Sequence, residues 1–337
     1  MSLPFLRPVR EDDLDAVAAL AGRAGGGMTN LPADRKALKA RLDLSVASFA
    51  KAATAPGGEV YMLVLEAEGA VIGVTGIFSA IGLDSCFINY KINHEFSFSR
   101  ALGKRAMRRV LVPSHDFTGA AEVGMLFMAP EARGGGLGKL MARARYMFIA
   151  QSSAVIAGHV CAELRGWRAP DGAQPFWNAV GRRFFEMDFE AADAANAANG
   201  NQFIQDMMPR YPIYVDLMAE DARACIGRPH ESAEPALKML KEEGFAFNNY
   251  IDVFDGGPLL DARVADLKTV RESRVLKLAE IADVGAAPPA LLAAGGLASF
   301  RAVKAPARIE GERVVIDRQT AAALKAERGA ALRWRAW

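Results

Sequence analysis

Hydrophobic and polar positions repeat with two different periods along the chain, and the changes of period mark its elements. Leu3 to Val9 reads as a short strand, and Arg10-Glu11-Asp12-Asp13-Leu14 then puts acidic residues in the first turn of a helix running to about Arg23. Gly25-Gly26-Gly27-Met28-Thr29-Asn30-Leu31-Pro32 interrupts the chain before a second helical pattern from about Asp34 to Lys51. Tyr61 to Ala67 and Val71 to Ser79 are β-rich runs separated by Glu68-Gly69-Ala70, which predicts two antiparallel strands joined as a hairpin. Residues 84–120 mix strand-like alternation, at Phe87 to Ile92 and Phe96 to Phe98, with a basic cluster from Arg105 to Arg109, and read as an insertion on a sheet edge.

Val123 to Met128 is a continuous apolar run stopped by Ala129-Pro130, the pattern of a strand buried on both faces. Leu137 to Gln151 spaces Leu140, Met141, Ala144, Met147 and Phe148 three and four apart, which predicts a long helix. His159 to Leu164 reads as a strand, Pro175 to Phe185 as an aromatic-rich helix, and Ala191 to Asn201, poor in large apolar residues, as a linker. Beyond it come a helix from Ala233 to Glu243 stopped by Gly244 and a strand from Phe245 to Phe254. Pro288-Pro289 and Gly295-Gly296 set off a last piece with a short strand at Arg313 to Ile316. The order predicts an α/β (α+β) chain with a mixed, mostly antiparallel sheet flanked by helices, divided as 1–190, a second α/β unit over 191–285, and a small C-terminal extension over 286–337.

Composition narrows the function classes. With 337 residues, 51% of them hydrophobic, the chain can bury two cores and is too apolar to be disordered. Its 41 Lys+Arg nearly balance 39 Asp+Glu, so no strong field draws it to nucleic acid or to anionic lipid. Cys86, Cys161 and Cys225 lie far apart with no CxxC pair, which argues against a metal site and a disulfide framework. No apolar window reaches the ~18 residues of a membrane span, and Met1 to Arg10 lacks the pattern of a secretory leader, so a cytoplasmic protein is expected.

The informative motif is Arg133-Gly134-Gly135-Gly136-Leu137-Gly138, directly between the buried strand and the long helix. Backbone N–H groups at a helix N-terminus lack partners and carry about half a positive charge, and glycines clear the side chains from an approaching phosphate. A nucleoside-triphosphate loop needs Gly where Arg133 stands and Ser or Thr where Leu140 stands; a dinucleotide fingerprint needs a small residue where Lys139 stands. The pattern R-x-x-G-x-G and the order of elements around it resemble the GCN5-related N-acetyltransferase (GNAT) family, whose loop binds the diphosphate of coenzyme A. The resemblance implies that Arg133, Gly134, Gly136 and Gly138 hold that diphosphate, and that the strand Val123 to Met128 splays and offers backbone groups to the pantetheine arm. A backbone N–H near Leu126 or Phe127 would then stabilise the oxyanion formed at the thioester.

A closer similarity covers about Leu6 to Arg274. It is carried by Gly25 to Pro32, Pro175-Phe176-Trp177, Gly181-Arg182-Arg183-Phe184-Phe185, Met187-Asp188-Phe189, Pro212-Ile213-Tyr214 and Asn249-Tyr250-Ile251-Asp252-Val253-Phe254-Asp255-Gly256-Gly257-Pro258. These segments resemble the arginine N-succinyltransferase family. The resemblance implies transfer of succinyl from succinyl-CoA, a co-substrate, to the α-amino group of L-arginine, and in some members ornithine, with no permanently bound cofactor. It implies further that Leu126 contacts succinyl-CoA, that His230 in Ile226-Gly227-Arg228-Pro229-His230-Glu231-Ser232 is the proton acceptor, and that the enzyme is a homo-oligomer, in some bacteria with a related second subunit.

The residues add their own support. His230 stands just before a helix whose cap reads as Ser232, and a helix N-terminus disfavours imidazolium. A substrate guanidinium needs a carboxylate, for which Glu163, Asp252 and Asp255 are candidates, although Asp255-Gly256-Gly257 is also turn chemistry. Lys91, Arg165 and Arg182 stay open for the succinyl carboxylate, whereas His94, His115 and His159 read as structural. Two alternatives stand beside this reading: an acetyl-CoA-dependent transferase for another amine, since the loop reads only the diphosphate common to CoA thioesters, and a non-catalytic CoA-binding subunit.

Overall fold

The computed structural model describes residues 3–25, 28–192, 195 and 202–337, so Gly26 and Gly27 and most of the Ala191 to Asn201 segment read as a linker lie outside the described residues. The chain folds into two compact units, each assembled from separated stretches. One comprises Met1–Ala80, Ala121–Val160 and Arg263–Trp337; the other comprises Ile81–Ala120 and Cys161–Ala262.

The first unit carries α1 (Leu14–Ala24), α2 (Arg35–Ala50) and α3 (Leu137–Gln151). Its strands begin with β1 (Phe5–Pro8), β2 (Val60–Ala67), β3 (Ala70–Phe78) and β6 (Ala121–Met128). They continue with β11 (Arg274–Ile281), β12 (Pro289–Ala294), β13 (Arg301–Pro306), β14 (Arg308–Glu310), β15 (Arg313–Ile316) and β16 (Ala331–Ala336). Their order is β14-β15-β11-β16-β12-β13-β1-β2-β3-β6, with β11 and β15 parallel and the other neighbours antiparallel. Asp34 caps α2 by accepting the Ala37 N–H at 2.8 Å, and Leu38 and Leu42 on that helix bury with Val17 and Leu20 of α1 against Met62 and Val64 of β2. Phe148 of α3 meets Tyr61 at 5.1 Å and Phe300 at 5.2 Å between ring centroids.

Where the sequence marked one strand in the last segment, the structure has β12 to β16 and the helix α10 (Arg318–Leu324), while α9 (Lys268–Glu272) precedes β11. The extension joins the sheet through β1, Phe5 pairing with Val303. Alanine-rich strands such as Pro-Ala-Leu-Leu-Ala-Ala at Pro289–Ala294 carry little β-propensity of their own, and their burial between two neighbours supplies what the pattern lacks.

In the second unit β4 (Asn89–Ser99) and β5 (Lys104–Ser114) form one long hairpin where two broken strands were expected. With β8 (Ile213–Tyr214), β9 (Ala246–Ile251) and β10 (Pro258–Arg263) they give the order β10-β9-β4-β5-β8, and β7 (His159–Glu163) enters this unit at Cys161. The helix expected from Pro175 to Phe185 is two short ones, α4 (Pro175–Ala179) and α5 (Gly181–Phe185). The break lets Trp177 stack between Phe185, at 5.5 Å, and Phe254, at 5.6 Å; a Cβ on Gly181 would lie 2.2 Å from its indole. Three further helices, α6 (Gln202–Met207), α7 (Glu220–Cys225) and α8 (Glu234–Glu243), complete the labelled elements. Among the described residues no helix is long and apolar enough to cross a membrane.

The strand-to-helix junction at the N-terminus is fixed by a buried ion pair. Arg7 on β1 donates to Asp13 at 2.6 and 2.9 Å and to Glu66 on β2 at 2.6 Å, and Asp13 also accepts the Arg10 N–H at 2.7 Å. Replacing Asp13 by Ala removes two of the charged hydrogen bonds of Arg7, a residue 5% exposed, and leaves Glu66 as its partner; urea denaturation is expected to show a loss of about 2–3 kcal/mol, and a loss below about 1 kcal/mol would mean that the pair is dispensable.

Candidate active site

In the first unit, β6 carries an irregularity that aims its second half. Val74 on β3 pairs with Phe127 and Gly76 with Gly124, so the single residue Thr75 faces both Met125 and Leu126, the arrangement of a β-bulge. Met125 takes a left-handed backbone with φ 55°, a conformation costing about 1–3 kcal/mol for a side-chain-bearing residue. Three contacts hold it there. Its N–H donates to Asn30 Oδ1 at 3.3 Å, its side chain fills the space left by Gly76, and Asn30 Nδ2 donates to the buried Glu122 at 3.1 Å. A Cβ on Gly124 would lie 2.3 Å from Asn30 Nδ2, so glycine is required where the asparagine enters. Burial raises the pKa of Glu122, with the Asn30 hydrogen bond and the charge of Arg41 opposing. The expected two-sided burial of this strand holds for its first half, whereas Leu126, Phe127 and Met128 are only half-buried.

The strand leads into the glycine loop. Gly134, Gly135 and Gly136 all have positive φ, at 131°, 58° and 81°, and Gly136 is the left-handed residue from which α3 starts. A Cβ on Gly134 or Gly135 would meet nothing within 4 Å, so the loop is open on that side. Leu137 N–H donates to the Gly134 carbonyl at 3.0 Å, so α3 opens directly from the loop and presents the positive end of its dipole to an incoming anion. Arg133 is exposed, its guanidinium 6.0 Å from the centroid of the Phe127 ring. A diphosphate therefore fits this loop by space, by donor supply and by charge.

In the second unit three chain segments meet around His230. Gly166 forms an antiparallel bridge with Pro229, Trp167 N–H donates to the Arg228 carbonyl at 3.0 Å, and His230 N–H donates to the Arg165 carbonyl at 2.8 Å. The imidazole itself, rather than the expected Ser232, caps the following turn: Nδ1 accepts the Ser232 N–H at 3.1 Å and lies 2.8 Å from the Ser232 hydroxyl. In the neutral ring the proton is then on Nε2. Burial, and after it the guanidinium charges of Arg165 and Arg168, hold the ring below its ordinary pKa against the pull of Glu231 and Asp255.

Asp252 and Asp255 tie the third segment in. Asp252 Oδ1 accepts the N–H groups of Phe254 at 2.7 Å and Asp255 at 2.9 Å; Asp255 accepts those of Gly166 at 2.6 Å and Gly257 at 2.8 Å. A Cβ on Gly257 would lie 2.2 Å from the Leu164 carbonyl, which accounts for that glycine. Burial, with the neighbouring Asp255 charge next, pushes Asp252 up to about 8, and burial raises Asp255 as well, so the pair favours a bound proton well above the ordinary carboxylate range. Glu163 is half-buried at the end of β7. Of the cations left open for a substrate carboxylate, Arg165 stands beside His230, while Lys91 donates to the Tyr250 hydroxyl at 2.7 Å. Sequence reasoning missed Asn30 and Arg168; Asn30 sits inside the Gly25 to Pro32 segment already singled out, and nothing in the pattern marked Arg168.

The mostly antiparallel sheet, the bulged strand and the open loop at α3 are those of an acyltransferase. A family model described as arginine N-succinyltransferase beta subunit matches residues 4–269, and one described as the C-terminal domain of that subunit matches residues 271–336. The chain belongs to the arginine N-succinyltransferase family. It is 36% identical to arginine N-succinyltransferase subunit beta of Pseudomonas aeruginosa over 98% of this chain and 97% of that protein, and 36% identical to arginine N-succinyltransferase of Enterobacter sp. (strain 638) over 97% and 96%. The solved structure of arginine/ornithine succinyltransferase subunit AI from Pseudomonas aeruginosa superposes with a TM-score of 0.90 at 32% identity, covering 100% of this chain and 99% of that one.

The raised pKa of Asp252 has a pH consequence. The folded state favours the protonated pair, so the stability this proton provides is lost as the pH rises from the ordinary carboxylate range towards about 8. Asp252→Asn keeps the acceptor oxygen and supplies a fixed N–H donor. Urea denaturation at pH 5 and pH 8.5 is expected to show the variant gaining more than about 1 kcal/mol on wild type between the two conditions; equal differences at both would refute a shared proton.

Proposed function

We propose that the chain transfers the succinyl group of succinyl-CoA to the α-amino group of L-arginine, with ornithine as a second acceptor, by direct attack in a ternary complex. The observation that carries the reading is the open three-glycine loop at the start of α3, and membership of the family supports the choice of acyl donor and acceptor. The N–H groups opening α3 take the diphosphate, with Arg133 adding charge, and the half-buried stretch of Leu126 and Phe127 receives the acyl-bearing arm. A new bond forms between the amine nitrogen and the succinyl carbonyl carbon, the carbon–sulfur bond breaks, and CoA leaves as its thiol. An N–H of the bulged strand that donates to the thioester oxygen lowers the barrier by a few kcal/mol.

The substrate amine is an ammonium at neutral pH and must lose a proton, which His230 accepts. The lowered pKa supports this role because it keeps the ring neutral. Its lone pair is on Nδ1, so the Ser232 hydroxyl, 2.8 Å away, passes the proton: Ser232 takes it from the amine and gives its own to Nδ1. The same hydrogen bond favours a second reading, in which Nε2–H acts as a donor to the substrate. Arg165 supplies positive charge for a substrate carboxylate. Glu163, Asp252 and Asp255 are the acids proposed for the guanidinium; the two aspartates already accept backbone N–H groups. We further assign the enzyme to the cytoplasm as a homo-oligomer, in some bacteria with a related subunit.

Initial rates of thiol release are expected to be highest with succinyl-CoA and arginine, with acetyl-CoA at least about a hundredfold lower in kcat/KM; equal rates with the two thioesters would transfer the assignment to a general acyltransferase. His230→Ala is expected to lower kcat by about 10²–10⁴ and to remove an acid limb lying below the ordinary histidine pKa. A wild-type profile with no such limb, together with the same loss in the variant, would favour the donor role instead.

A further inference from the structure

The similarity read from the sequence ends near Arg274, yet the structure brings two residues from the last fifty onto the glycine loop. Lys304 on β13 points its ammonium to within 3.5 Å of the Gly135 carbonyl. Trp337, whose N–H donates to the Pro289 carbonyl at 3.2 Å, lays its indole beside Gly136, where a Cβ would lie 3.4 Å from the ring and 3.5 Å from Lys304 Nζ. The same indole gathers three cations: Lys304 Nζ at 4.6 Å from its centroid, Arg143 at 5.2 Å and Lys139 Nζ at 5.9 Å. Lys139 and Arg143 are one turn apart on α3.

Each cation gains from the face of the ring, and the three gathered about one indole make this spot positively charged and aromatic at once. The cluster thus offers a flat π surface and a concentration of positive charge, and it abuts the loop that takes the diphosphate. On the side away from the thioester, the diphosphate of CoA carries a ribose with a 3′-phosphate and an adenine. These are an anion and a flat ring, the chemistry the cluster complements.

Resting on the acyl-CoA reading of the loop, we propose that Trp337, Lys304, Lys139 and Arg143 receive the 3′-phosphoadenosine end of the acyl donor. Trp337 stacks on the adenine, and the cations pair with the 3′-phosphate. The C-terminal segment is then part of the donor site, and the enzyme distinguishes CoA from a carrier that lacks the 3′-phosphate.

The test is calorimetric titration of the full-length protein with CoA and with 3′-dephospho-CoA, repeated for Lys304→Gln, Trp337→Ala and Trp337→Phe, with KM and kcat measured for the corresponding succinyl thioesters. Wild type is expected to prefer CoA by at least about tenfold. Lys304→Gln should bring that preference below about threefold with little change for 3′-dephospho-CoA. Trp337→Ala should weaken both ligands about tenfold, acting on KM rather than kcat, and Trp337→Phe should restore most of the loss. If all three variants bind both ligands within about twofold of wild type, the cluster is packing and the inference falls. Wild type binding neither ligand would instead bring down the acyl-CoA reading itself.

Discussion

The left-handed turn of the backbone at Met125 is the constraint on which the course of β6 and of the glycine loop after it depends. A regular ladder would commit every backbone group of β6 on the β3 side, whereas two residues opposing the single Thr75 cannot both do so, and the strand past them is re-aimed. Asn30 holds this strained residue by accepting its N–H, and Glu122 holds Asn30. Gly73 and Gly76 on β3 make room for Met141 and Met125, so four residues that do no chemistry set the position of the strand that leads into the loop.

The second unit solves a comparable problem with carboxylates. Its three segments around His230 are loops rather than regular strands, and their backbone N–H groups need acceptors once water is excluded. Asp252 and Asp255 provide four such acceptances, with Gly166 and Gly257 allowing the chains to approach. The imidazole is held in the same way, by its own backbone to Arg165 and by its ring to Ser232, so its tautomer follows from the fold.

Much of this was legible in the sequence, for identifiable reasons. The loop could be read because glycines at a strand-to-helix junction have few other uses, and α3 runs from Leu137 to Gln151 as its periodicity required. The bulge could not be read, because a left-handed methionine has no compositional mark and arises from the register of β6 against β3. The broken helix at Val180 follows from the packing of Trp177 on Gly181, a contact that helical periodicity does not register. Family resemblance singled out His230, and Ser232 was read as the cap because serine is the commoner capping residue; the ring takes that place. The alanine-rich strands near the C-terminus escaped notice because neighbours, not propensity, make them strands.

The pairing of β1 with both β2 and β13 bears on how the molecule is made. On the ribosome Phe5 meets Glu66 early, but its other neighbour, Val303, emerges only after the whole second unit has been synthesised. Until then one edge of β1 stays unpaired, a template for association with another nascent chain. Closing the sheet is therefore a late, long-range event, the kind of pairing whose loop-closure entropy must be met before its contacts form.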